Sequence, residues 1–137
     1  MIAQAESSQL QLLSTPESLN IVETLIEDLK NEYNINEDSY GNMLVAVTEA
    51  VNNAIFHGNK GNPDKKVRLS YNVGKDRVCI MIADEGNGFD FYNLPDPTAP
   101  ENVDKPNGRG VFLMKHLTDQ LIFSEMGRVV ELQFKMN

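Results

Sequence analysis

Residues 48–58, TEAVNNAIFHG, constrain this chain more than any other stretch. They close a run, INEDSYGNMLVAVTEAVNNAIFHG, with the spacing of a long helix that stops at Gly58. Val47, Val51, Ala54 and Ile55 would face a core. Glu49 and Asn53 stand four apart on another side of the same helix, and Phe56 and His57 extend that side. A carboxylate inside apolar surroundings is costly unless something pairs with it. The helix therefore either turns this stripe to water, as surface helices commonly do, or offers it to a ligand.

The segments around that helix set the fold class. SQLQLLST alternates as a first strand. In the next segment Thr15 is placed to cap a helix, Pro16 fits its first turn, and Glu17 and Glu23 favour its N-terminal end. Leu19, Val22, Leu25, Ile26 and Leu29 form its apolar stripe. NKGNPDKK has the composition of a loop. VRLSYNV and RVCIMIAD, joined by GKD, form a hairpin. After Asp84 comes EGNGFDFYNLPDPTAPENVDKPN, far longer than an ordinary connection and so either functional or disordered. GRGVFLMKHLTDQ is a helix begun by glycines, and LIFSEMG with RVVELQFKMN makes a last hairpin. The order β-α-α-β-β-loop-α-β-β predicts an α+β two-layer sandwich, a mostly antiparallel sheet with helices on one face. The length, 137 residues, suits one domain spanning 1–137.

Charge and composition narrow the function. The net charge of −8 argues against a nucleic-acid partner or an anionic membrane surface, both of which call for basic patches. No run approaches the roughly 20 apolar residues of a membrane span, and MIAQAESSQL lacks the basic start and apolar stretch of a signal peptide. A cytoplasmic protein is expected. The single cysteine, Cys79, excludes an internal disulfide and a cysteine-based metal site; its apolar neighbours predict a buried small side chain.

Two further places have chemistry in them. In ADEGNGFD a strand runs into Asp84 and then Gly86 and Gly88. Glycines there let a ligand come close to the backbone, and an aspartate can accept a hydrogen bond from an exocyclic amine. The plainer alternative is an Asp-Gly turn. In PNGRGVFLMKH, Gly108 and Gly110 precede a helix whose free N–H groups would attract phosphate, and Arg109 adds a positive fork. The plainer alternative is a loop entering a helix. Neither a P-loop nor a Rossmann fingerprint occurs.

With these three stretches in this order, the chain resembles the GHKL superfamily of ATPases, which share the Bergerat ATP-binding fold. EAVNNAIFHG is similar to its N box, DEGNG to its D-x-G-x-G box and GRG to its second glycine box. The resemblance runs from about residue 7 to the end and implies a mostly antiparallel mixed sheet backed by helices. DPTAPENVDKPNGRGVFLMKHLTD is closest to a branch of small single-domain serine kinases that act as anti-sigma factors. By position, the resemblance makes Asn53 a Mg²⁺ ligand and Glu49 the general base. Asp84 becomes the adenine reader and Gly86 and Gly88 its neighbours. Gly108, Arg109 and Gly110 become the end of a lid near the phosphates. Asn52 is secondary, and His57 is more simply a helix-end or packing residue.

What the resemblance implies is a Mg·ATP-dependent serine kinase that phosphorylates a STAS-type anti-anti-sigma protein. The same domain would hold a sigma factor or another regulatory protein, and a homodimer is expected. His57 and His116 lie inside the domain, which disfavours a sensor histidine kinase with an upstream phospho-accepting helix pair. The topoisomerase, mismatch-repair and chaperone branches need further domains. Two other readings stand beside the kinase: a nucleotide-gated binding module without phosphotransfer, and a remnant that binds no nucleotide. Retention of both Glu49 and Asn53 favours the kinase.

Overall fold

A computed structural model describes residues 6–88 and 109–136, with side-chain surroundings from residue 8 onward. Gly108 and most of the long stretch after Asp84, including the expected lid, lie outside the described residues. The strands are β1 (Glu6–Leu13), β2 (Lys66–Val73), β3 (Arg77–Ala83), β4 (Gln120–Ser124) and β5 (Val129–Lys135). They form one sheet in the order β1-β2-β3-β5-β4, and every pairing is antiparallel. The helices are α1 (Ser18–Tyr33), α2 (Glu37–Asn52) and α3 (Arg109–Leu117). This is the expected α+β two-layer arrangement.

Register explains why one face of the sheet is covered. Leu69 is paired with Leu10 and Ile82, and Ile82 with Val130. Ile80 is paired with Leu132, and Val78 with Phe134. With a period of two, these residues share a face, and Leu69, Val78, Ile80, Ile82, Leu132 and Phe134 are all buried there. The helices lie on it. Val47, Val51, Ala54 and Ile55 are buried as expected, and each of the Val and Ile side chains contributes about 1.5–3 kcal/mol relative to exposure. α2 packs against α1 and α3 and against β3 and β5, so it sits at the centre of the helical layer.

Three local expectations are corrected. Thr15 does not cap α1. Residues 15–17 form a turn, with Ser18 N–H donating to Thr15 O, and Ser18 Oγ donates to Leu13 O at 2.6 Å, tying the helix start to the end of β1. Cys79 is half-buried, not buried, because it pairs with Asn72 and Gln133 on the sheet face that the helices leave open. The alternation that sends Val78 and Ile80 inward sends Cys79 and Met81 outward. The long helix also does not run uniformly to Gly58. α2 begins with Asn36 Oδ1 accepting from Ser39 N–H at 2.8 Å and ends at Asn52; Asn53–Gly58 is one π-helical turn.

Candidate functional site

The site is built where the π turn, the end of β3 and the start of α3 meet. Glu49 sits in the last turn of α2 and Asn53 opens the π turn; both are half-buried. Val111 and Met114, three apart, bury one side of α3 in the core and fix its first turn over that place. A methyl group on Gly110 would lie 3.0 Å from Asn53 Nδ2, 3.1 Å from Glu49 Oε2 and 3.2 Å from Asn53 Oδ1. The absence of a side chain at Gly110 is what lets the two polar groups reach the helix start. No hydrogen bond joins the side chain of Glu49 or Asn53 to another described residue.

The second half gathers around Asp84. Gly58 comes so close that a Cβ there would collide with the Asp84 carboxylate, and a Cβ on Gly86 would collide with the backbone of Gly58. The helical run ends at Gly58, as the sequence predicts, and this close approach is a second reason for glycine there. Asp84 N–H donates to Arg128 O at 2.9 Å, and Asp84 Oδ1 accepts from Gly86 N–H at 2.8 Å. Burial pushes the Asp84 carboxyl above its ordinary range; the Gly86 N–H, Arg128 and Lys65 pull it partly back. Gly88 has a φ of 82°, and a side chain on it would strike the carbonyl of Met126.

One residue was missed by the sequence. Asn59, assigned only to a loop, is 1% exposed. Its Oδ1 accepts from Glu85 N–H at 2.7 Å, and its Nδ2 donates to Ser14 Oγ and to Lys66 O, each at 3.0 Å. Glu85 Oε2 accepts from Lys66 N–H. No periodic signal marks Asn59, because its partners belong to segments distant in sequence.

Four residues that the sequence brings up, Phe56, His57, Arg109 and His116, are exposed. Phe56 and His57 are exposed, so the π turn does not continue the stripe of Glu49 and Asn53 into the core. His116 Nδ1 contacts Phe112 O at 3.1 Å and its ring lies 4.1 Å from that of Phe112, an arrangement within α3 itself. Arg109 is exposed at the first position of α3. Among the described residues no helix is long and apolar enough to cross a membrane.

The chain is 26% identical over 119 residues to a serine-protein kinase RsbW of Oceanobacillus iheyensis, covering 82% of this chain and 75% of the relative. It is 28% identical over 123 residues to the serine-protein kinase RsbW of Bacillus subtilis, covering 85% and 77%. A crystal structure of the RsbU and RsbW domains of a Mycobacterium tuberculosis protein superposes with a TM-score of 0.66 at 12% identity, over 96% of this chain and 32% of that one, a likeness of fold. The histidine kinase-like ATPase domain family matches residues 12–134, and the chain belongs to it.

Proposed function

We propose that this chain is a Mg·ATP-dependent protein serine kinase and anti-sigma factor whose substrate is a STAS-type anti-anti-sigma protein. Holding a sigma factor or a related regulator would alternate with holding that substrate, because the two partners would prefer different nucleotide states. Relatives named as serine-protein kinases over most of their length support the class of reaction. The observation that carries the reading is the close approach of Gly110 to Glu49 and Asn53, which joins the second glycine box to the N box.

The residues fit the ligand they would hold. Asn53 offers a carboxamide oxygen, a hard donor suited to Mg²⁺, and Glu49 a carboxylate beside it. One such side chain is too few for an all-protein magnesium cage, so the remaining positions would go to water and phosphate oxygens. Bound Mg·ATP supplies the transferable phosphoryl group and neutralises its charge. Glu49 would accept the proton of the attacking serine hydroxyl. The start of α3, with Arg109 and the N–H groups of its first turn, would face phosphate. Asp84, half-buried and with Oδ2 unused among the described residues, would accept from the exocyclic amine of adenine.

Phosphotransfer is the test. γ-labelled ATP and Mg²⁺ are added to the purified chain with lysate of its own organism, alongside the Glu49→Gln variant. A small labelled protein is expected with the unaltered chain. The variant should label it about 10²–10⁴-fold more slowly, the usual contribution of a general base, while still binding ATP. Equal labelling by both would remove Glu49 from the chemistry. ATP binding without any labelled protein would favour the nucleotide-gated binding module.

A further inference from the structure

We propose that Asn59 is a positioning residue that sets which nucleobase the site accepts; this rests on the reading of Asp84 as the base contact. Asn59 belongs to none of the three boxes. Its side chain is nonetheless buried with both ends bonded, and its own N–H donates to Ala54 O at 2.8 Å, the last link of the π turn. One carboxamide thus ties together four pieces of chain: the π turn, Ser14 after β1, Lys66 at the start of β2, and Glu85 just after Asp84.

The consequence falls on Asp84. Its N–H is held by Arg128 O, and the next N–H, that of Glu85, is held by Asn59 Oδ1. The backbone on both sides of Asp84 is therefore pinned, and Oδ1 is committed to Gly86 N–H. Only the direction of Oδ2 is left, and the frame fixes it. Adenine presents an amine donor at the position where guanine presents a carbonyl oxygen. A carboxylate held in a fixed direction attracts the first and repels the second. A carboxylate free to swing loses that discrimination. Cutting the Asn59 link to Glu85 releases one of the two pins.

A residue that merely held the fold together would weaken all nucleotides by the same factor. The ratio of ADP to GDP affinity is therefore the readout, measured by calorimetry on the full chain and on Asn59→Ala, Ser14→Ala and Asp84→Asn variants. The unaltered chain is expected to prefer ADP. Asn59→Ala should lower that ratio by about tenfold, the scale of one buried hydrogen bond lost from a recognition contact. Ser14→Ala, which removes one acceptor of Asn59 Nδ2 and leaves the link to Glu85, should lower it by a smaller factor. An unchanged ratio in folded Asn59→Ala overturns the inference; should that variant not fold, an unchanged ratio in Ser14→Ala does so. Failure of the underlying reading looks different. The unaltered chain would then show no preference for ADP, or Asp84→Asn would keep it, and the inference falls with that reading. A preference that Asp84→Asn abolishes and Asn59→Ala leaves intact removes Asn59 alone.

Discussion

The half of the site around Asp84 and the half around Glu49 are ordered by different forces. Around Asp84, main-chain and carboxamide hydrogen bonds link the π turn, β2 and the ends of β3 and β5, and glycines allow backbone-to-backbone contact. Around Glu49 and Asn53, position comes from packing: Val47, Val51, Val111 and Met114 bury the helix faces, and the polar ends have no hydrogen-bond partner among the described residues. The first arrangement is held by hydrogen bonds among the chain's own groups. The second presents a carboxylate and a carboxamide with no described partner; on the proposed reading, the Asn53 oxygen would suit a metal ion that brings most of its own coordination shell. On the proposed reading, a site of this kind would be preformed for the nucleobase and adaptable for the charge.

The largest expected effect separates the halves by affinity. Asn53→Ala should weaken Mg·ATP binding by about 10–100-fold, the range for losing a group that holds or orients a metal. Its unfolding free energy should stay near that of the unaltered chain, since no described partner is orphaned. Calorimetry with and without Mg²⁺ checks this, and an affinity that ignores Mg²⁺ in both proteins would break the assignment.

The next effect separates them by stability. Gly86→Ala forces a Cβ into the backbone of Gly58 and should cost about 1–3 kcal/mol, the range of overpacking, seen as a lower urea midpoint. Gly110→Ala meets only the ends of two side chains and should stay within about 0.5 kcal/mol. Equal losses at the two glycines would erase the contrast.

The smallest effect is one of pH. The Asp84 carboxyl is raised in the folded chain, so its ionised form is a burden that disappears when it is protonated. In the window between the ordinary carboxylate value and the raised one, the folded chain binds more protons than the unfolded chain, and stability falls as pH rises. Without nucleotide, Asp84→Asn should therefore melt at the same or a higher temperature than the unaltered chain at neutral pH. That difference should shrink as pH drops through the window. A variant that melts lower at neutral pH would mean that the charge itself helps hold the base half together.

Much of the fold was legible because it rests on periodicity. The stripe Val22, Ile26 and Leu29 and the alternation Val78, Ile80 and Ile82 are local patterns, and burial follows them. The same alternation also placed Cys79 outward, but the run around it is apolar enough to look buried on both faces. The π turn was invisible, because Ala54 and Ile55 are buried in it just as an α turn would bury them. In the site, Glu49, Asn53 and Asp84 taken singly look like ordinary surface residues. Their order along the chain marked them, and the structure brings Gly110 onto the first two. Asn59 and the role of Gly58 depend on contacts across the sheet that no local pattern records.

The π turn at Asn53–Gly58 gives the chain one residue more per turn than an α-helix needs. That extra residue works as a spacer: it lets the buried pair Ala54 and Ile55 stay seated while Gly58 is carried outward to the Asp84 carboxylate. Shortening the segment by a single residue would restore an ordinary helix and leave Asn53 in place at its beginning. It would draw the far end away from β3, uncoupling Glu49 and Asn53 from Asp84 without touching any of them.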